Sequence, residues 1–166
     1  MLAISLIIIG ILLRFAPHAP NFTPVAAIAL FGGVYLKKKY AFLVPLALMI
    51  LSDIFIGMHN VVIFTWGGFA LVTVAGMWLK KRKSALAIAG TSIFSSVLFY
   101  AVSNFGVWAM GWYPRSLKGL FDCYIMGLPF LRDFTAATLV YSVVFFAAYE
   151  LIAARVKNTK LAKVLL

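Results

Sequence analysis

The chain has 166 residues, of which 64% are hydrophobic and only 11% charged, with a mean hydropathy of +1.05 and a formal net charge of +11. Soluble domains are about half apolar and about a quarter charged, and a chain this short has too little interior to bury such an apolar surplus. The composition excludes an ordinary soluble domain. It predicts a single all-α transmembrane domain over residues 1–166, a bundle of about six helices with lipid as the solvent of its apolar segments.

Six apolar segments follow in chain order: 2–13, 22–36, 40–58, 61–79, 84–104 and 134–154. No positive residue precedes the first, and Arg14-Phe15-Ala16-Pro17 after it is not a small-residue cleavage site, so it reads as a retained span. Pro17, Pro20 and Pro24 would break the hydrogen-bond ladder of one longer span, so the first two segments read as two short spans joined by a proline-stiffened loop at 14–21. In the second, Ala29 and Gly33 make a small-xxx-small pair for close helix packing.

The third segment follows Lys37-Lys38-Lys39, carries Asp53 about 20 Å along its axis, and ends at His59 and Asn60. The fourth has Trp66 near its start and ends at Lys80-Lys81-Arg82-Lys83. The fifth sets Ala85, Ala89, Ser92, Ser96 and Ser103 near one face and closes at Asn104. Residues 105–133 carry Trp108, Trp112, Tyr113, Phe121, Tyr124 and Phe130 with four glycines. Trp and Tyr favour the membrane interface, so this stretch is expected on or in the outer surface as a short helix plus a lid. The sixth segment opens at Arg132-Asp133 and carries Glu150 near its far end.

The charges test the alternation. Eleven of the fifteen basic residues fall at 37–39, at 80–83 and at Arg155, Lys157, Lys160 and Lys163, all on one side of a six-span arrangement. The positive-inside rule makes that side cytoplasmic, with both termini there, in a multi-pass protein of the cell inner (plasma) membrane. The same clusters account for the charge of +11 with membrane lipid as partner and no nucleic acid.

Polar residues collect at the opposite level. Asp53, His59, Asn60, Trp66, Asn104, Arg132 and Asp133 share the outer third, beneath the aromatic segment. A mainly apolar pocket with a few polar groups suits a small-molecule site. Each residue also has a plainer role. Asp53 caps a helix end or pairs with Arg14 or Arg132. His59, Trp66, Trp108 and Trp112 act as interface residues. Asn104 caps a helix, Arg132 and Asp133 pair locally, and Glu150 is solvated or paired with a lysine. No phosphate-binding loop is present, which excludes ATP hydrolysis by this chain alone. Two histidines and one cysteine, Cys123, provide no metal-ligand spacing and no disulfide. Hydrolase motifs are absent, and no cofactor, metal site or catalytic residue is expected.

The runs at 14–33, 51–53, 103–108, 113–120 and 127–130 (the first reading Arg-Phe-Ala-Pro-His-Ala-Pro-Asn-Phe-Thr-Pro) resemble a family of small bacterial membrane proteins of uncharacterised function. That family is similar to the S components, the substrate-binding subunits, of energy-coupling factor (ECF) transporters. The resemblance implies six helices with both ends inside and a vitamin or metal pocket near the outer face closed by outer loops. It also implies docking on a transmembrane coupling subunit with ATPases. The Ala-x-x-x-Ala pattern that S components carry for docking is missing from the first helix here.

The resulting expectation is a non-enzymatic capture protein for uptake of a small, planar organic nutrient such as a vitamin. Asp53, Asn104 and Arg115 would supply polar contacts with Trp66 at the same level, Trp108, Trp112 and Tyr113 would stack and shield, and His18 and Asn21 would belong to the outer-loop gate. The rivals are a structural or accessory subunit of a larger membrane complex, and an intramembrane enzyme using Asp53 as acid or base.

Overall fold

A computed structural model describes residues 1–16, 19–160 and 162, apart from the side chains of Leu2, Leu6 and Ile56. Among the described residues there are six helices: α1 (Leu2–Phe15), α2 (Val25–Tyr35), α3 (Lys38–Ile56), α4 (Val62–Leu79), α5 (Ala85–Ala109) and α6 (Leu117–Val156). There is no strand among the described residues. Three helices, α4, α5 and α6, are long and apolar enough to cross a membrane. α1 and α2, at 14 and 11 residues, extend only about 21 and 16 Å against a hydrocarbon core of about 30 Å.

α2 is the centre of the bundle. It is apolar on every side, and a helix of that kind is buried all round. Residues Val25 to Val34 are all buried. Pro24 precedes its first turn, where a missing N–H costs nothing. Leu36 ends it in an extended conformation, returning its N–H to Gly32. The crossing with α4 depends on two glycines. A Cβ on Gly33 would lie 2.6 Å from the Thr73 carbonyl oxygen, and one on Gly76 would lie 2.4 Å from that of Leu30. The expected small-residue face of this helix therefore packs on α4. On the other side Phe31 meets Phe145, Phe146 and Tyr149 of α6 at ring-centroid distances of 5.4–6.0 Å.

The basic clusters converge at one end. Tyr35 at the end of α2 donates its hydroxyl hydrogen to Glu150 on α6. Lys83, from the α4–α5 turn, lies 3.8 Å from the same carboxylate and 4.7 Å from the Tyr35 ring centroid. Both groups of the ion pair are well exposed, so its net value is small. The rest of the surface is an apolar belt. Phe55, Ile63, Trp78, Leu86, Leu117 and Phe121 are each at least 65% exposed. A large contiguous apolar surface needs an apolar neighbour.

The principal departure from expectation lies in residues 105–133. They do not form a short helix plus a lid. α5 runs past Asn104 to Ala109, and α6 begins at Leu117 and continues through Pro129 to Val156, so Arg132 and Asp133 lie well inside one 40-residue helix. The turn between them has Gly111 at φ 84°, a backbone conformation that favours glycine. The Ser116 hydroxyl caps α6 by accepting from the Gly119 N–H at 3.1 Å.

Candidate functional site

The ends of the helices opposite the basic clusters bring the polar residues into two adjacent groups. The first sits between α1, α3 and α4. Asp53 on α3 is only 4% exposed, and its carboxylate accepts a hydrogen bond from Trp66 Nε1 on α4 at 2.9 Å. Arg14 at the end of α1 is within electrostatic range of Asp53 and donates to the Thr23 hydroxyl at 3.2 Å. Arg132, by contrast, pairs with its neighbour Asp133 at 2.9 Å. Asp53 thus has an acceptor role and a charge partner inside the fold.

The second group surrounds a small cavity of about 50 Å³, lined by Asn21, Phe99, Tyr100, Ser103, Asn104, Phe130, Leu131 and Phe134. Asn21 precedes α2 with φ 61°, a left-handed conformation that asparagine tolerates better than most residues. Asn104 donates through Nδ2 to the Tyr100 carbonyl at 2.9 Å. Its amide oxygen receives only a long contact, 3.9 Å, from Cys123 Sγ, whose closer acceptor is the Asn104 carbonyl at 3.3 Å. Tyr100 donates to the Tyr124 carbonyl, and Tyr124 donates to the Ala101 carbonyl at 2.7 Å. Gly127 permits this approach of α6, because a Cβ there would lie 2.5 Å from Asn104 Oδ1.

The two groups are joined by aromatic rings. Trp66 and Phe69 lie three residues apart on one face of α4. Phe69 packs on Phe99 at 4.5 Å, and Phe99 stacks on Phe134 at 4.7 Å. Phe99 and Phe134 are themselves walls of the cavity. The chain between the groups is equally short, since Asn21 faces one and Thr23 the other.

The remaining expected site residues lie at the end of α5 and on the α5–α6 turn. Trp108 donates to the Pro114 carbonyl at 3.1 Å, and Arg115 reaches the Ala109 carbonyl at 3.4 Å. Trp112 donates to Asn60 Oδ1 at 3.0 Å and ties the turn to the α3–α4 connection. Tyr113 is half-buried in the same turn. None of these four lines the cavity, nor do Asp53 and Trp66. His18 lies outside the described residues. Of the expected set, Asn21 and Asn104 meet at the cavity.

Tyr100, Ser103, Phe130 and Leu131 were not anticipated there. Helical spacing carries the signal for them. Tyr100, Ser103 and Asn104 fall at i, i+3 and i+4, while Phe130 and Phe134 are four apart.

The polar groups around the cavity are amides, hydroxyls and phenols, without an ionised side chain among its lining residues. Such a set recognises neutral hydrogen-bonding groups, and the rings offer faces for stacking.

Among the described residues the chain is all-helical, with three helices long and apolar enough to cross a membrane and an apolar belt around them. It belongs to the DUF6580 family, a family of unknown function, which it matches over residues 1–161. Neither the curated proteins nor the solved structures contain a match.

Proposed function

We propose that this protein is a multi-pass capture protein of the cell inner membrane that binds a small, neutral, planar organic molecule at the extracytoplasmic end of its bundle. In this reading all six helices lie in the membrane, with both termini and the basic clusters on the cytoplasmic side. The chain is, in this reading, an S-component-like, non-catalytic uptake subunit, which would hand its cargo to a coupling subunit with ATPases. The observation that carries the reading is the second polar group. An asparagine amide, a serine hydroxyl and stacked phenylalanines surround an outer cavity, at the end opposite the basic clusters. A cavity of about 50 Å³ is under twice the share of liquid volume one water occupies, about 30 Å³. Ligand entry therefore requires Asn21 and the Phe130 wall to separate.

The test is mass spectrometry of small molecules released from the protein purified in detergent, with thermal shifts across a vitamin panel. A true ligand at a hundredfold excess over its Kd stabilises by about 2.7 kcal/mol, or roughly 5–10 °C for a chain of this size. Asn104→Ala should abolish the shift. No released molecule and no stabilisation across the panel would reject the reading.

A second reading is favoured by a specific observation, the small size of this cavity together with the internally hydrogen-bonded turn. In that reading the chain is a structural or accessory subunit of a larger membrane complex. It predicts no ligand and a stable partner retained through purification.

A further inference from the structure

Between α4 and α5, toward the basic end, lies a lateral groove of about 710 Å³. Its rims are Leu71, Trp78 and Phe94, its floor includes Ala75, Ala87 and Gly90, and Arg82 stands at its mouth. The groove opens on the belt, since Trp78 is 65% exposed and Phe94 60%. It is separate from the outer cavity and shares no lining residue with it.

Three observations identify the occupant. The first is charge. The mouth belongs to the run Lys80-Lys81-Arg82-Lys83, and among the described residues Arg82 makes no ion pair. Its guanidinium sits 6.0 Å over the Trp78 ring, which holds it above the apolar channel. A planar guanidinium is suited to the two oxygens of a phosphate. The second is shape and polarity. The lining residues extend about 10 Å along α4 and about 16 Å along α5, and all but Arg82 and Thr91 are apolar. An elongated apolar channel of that length suits an alkyl chain. The third is the floor. A Cβ on Gly90 would meet nothing within 4 Å, so the absent side chain keeps the channel open without serving any contact inside the bundle.

We propose that this groove binds an anionic phospholipid, with its acyl chain against Trp78, Phe94 and Gly90 and its phosphate on Arg82. The inference shares with the proposed function only the placement in a membrane and stands whether or not the outer cavity takes a ligand.

The test is native mass spectrometry of the detergent-solubilised full chain titrated with dioleoyl phosphatidylglycerol or dioleoyl phosphatidylcholine. The wild type should bind phosphatidylglycerol at least about fivefold more tightly, the factor that one basic residue contributes at an anionic membrane surface. Arg82→Gln, in an exposed turn, should remove that preference and leave the phosphatidylcholine affinity unchanged. Gly90→Leu should weaken both lipids by filling the channel, with the melting temperature of the lipid-free protein preserved. Equal affinities for the two lipids in the wild type, or unchanged lipid binding in Gly90→Leu, would overturn the proposal. A dimer that Gly90→Leu disrupts would assign the groove to a second copy instead, and would equally overturn it.

Discussion

The crossing of α2 on α4 offers the sharpest test of the packing. A methyl group on Gly76 would stand 2.4 Å from the Leu30 carbonyl oxygen and 2.9 Å from the Leu30 Cα. One on Gly33 would stand 2.6 Å from the Thr73 oxygen and 2.8 Å from the Met77 nitrogen. Non-bonded carbon atoms rest at about 3.5–4.0 Å, so either substitution drives the two helices apart by about 1 Å. The obstacle is backbone in both cases and has no rotamer to change. Overpacking of this kind costs about 1–3 kcal/mol, and the helix preference of alanine over glycine returns up to about 1. Gly76→Ala should therefore lose about 1–2 kcal/mol, lowering the melting temperature in detergent by roughly 2–8 °C. Gly33→Ala should behave similarly. One displacement relieves both clashes, so the double variant should lose less than the sum, by about 0.5 kcal/mol or more. Gly67→Ala and Gly90→Ala are the controls, since a Cβ there meets nothing within 4 Å. They should match or exceed the wild type. A Gly76→Ala protein as stable as Gly90→Ala would refute the close crossing and with it the central position of α2.

Two further outcomes follow from the site and the turn. Trp66→Phe removes the donor to a buried carboxylate and should cost about 1–3 kcal/mol by thermal denaturation. Asp53→Asn keeps an acceptor for the indole but removes the charge near Arg14 and should cost at least as much; an unchanged melting temperature in Trp66→Phe would sink the pairing. Ser116→Ala removes the cap of α6 and should cost about 1 kcal/mol. Hydrogen exchange should speed up at residues 117–120 while the amides of α2 stay protected.

The sequence makes the helices legible where apolar runs alternate with basic clusters. Pro20 and Pro24 separate α1 from α2, and Lys80 to Lys83 separate α4 from α5. The burial of α2 on every side was equally open to reading, since it has no polar face. The 105–133 stretch was misread because its Trp, Tyr and Gly content resembles an interface segment. Its helical period was present all the same, with Gly119, Cys123 and Gly127 four apart as the buried stripe on α6 and Ser116 placed to cap it. The bond between Asp53 and Trp66 depends on how two helices are rotated about their axes, which spacing along the chain does not encode. The same holds for the cavity. Asn104 was anticipated as polar and outer, but its partners depend on which α6 residues lack a side chain.

The position of α2 also constrains how this protein is made. Eleven residues with every side buried cannot sit alone in a bilayer with their helix ends satisfied. The glycine that receives this helix, Gly76, lies on α4, some forty residues later in the chain. If the bundle is membrane-embedded as proposed, α2 has to stay sheltered until α4 is available to receive it. On that reading, insertion and folding are one coupled event.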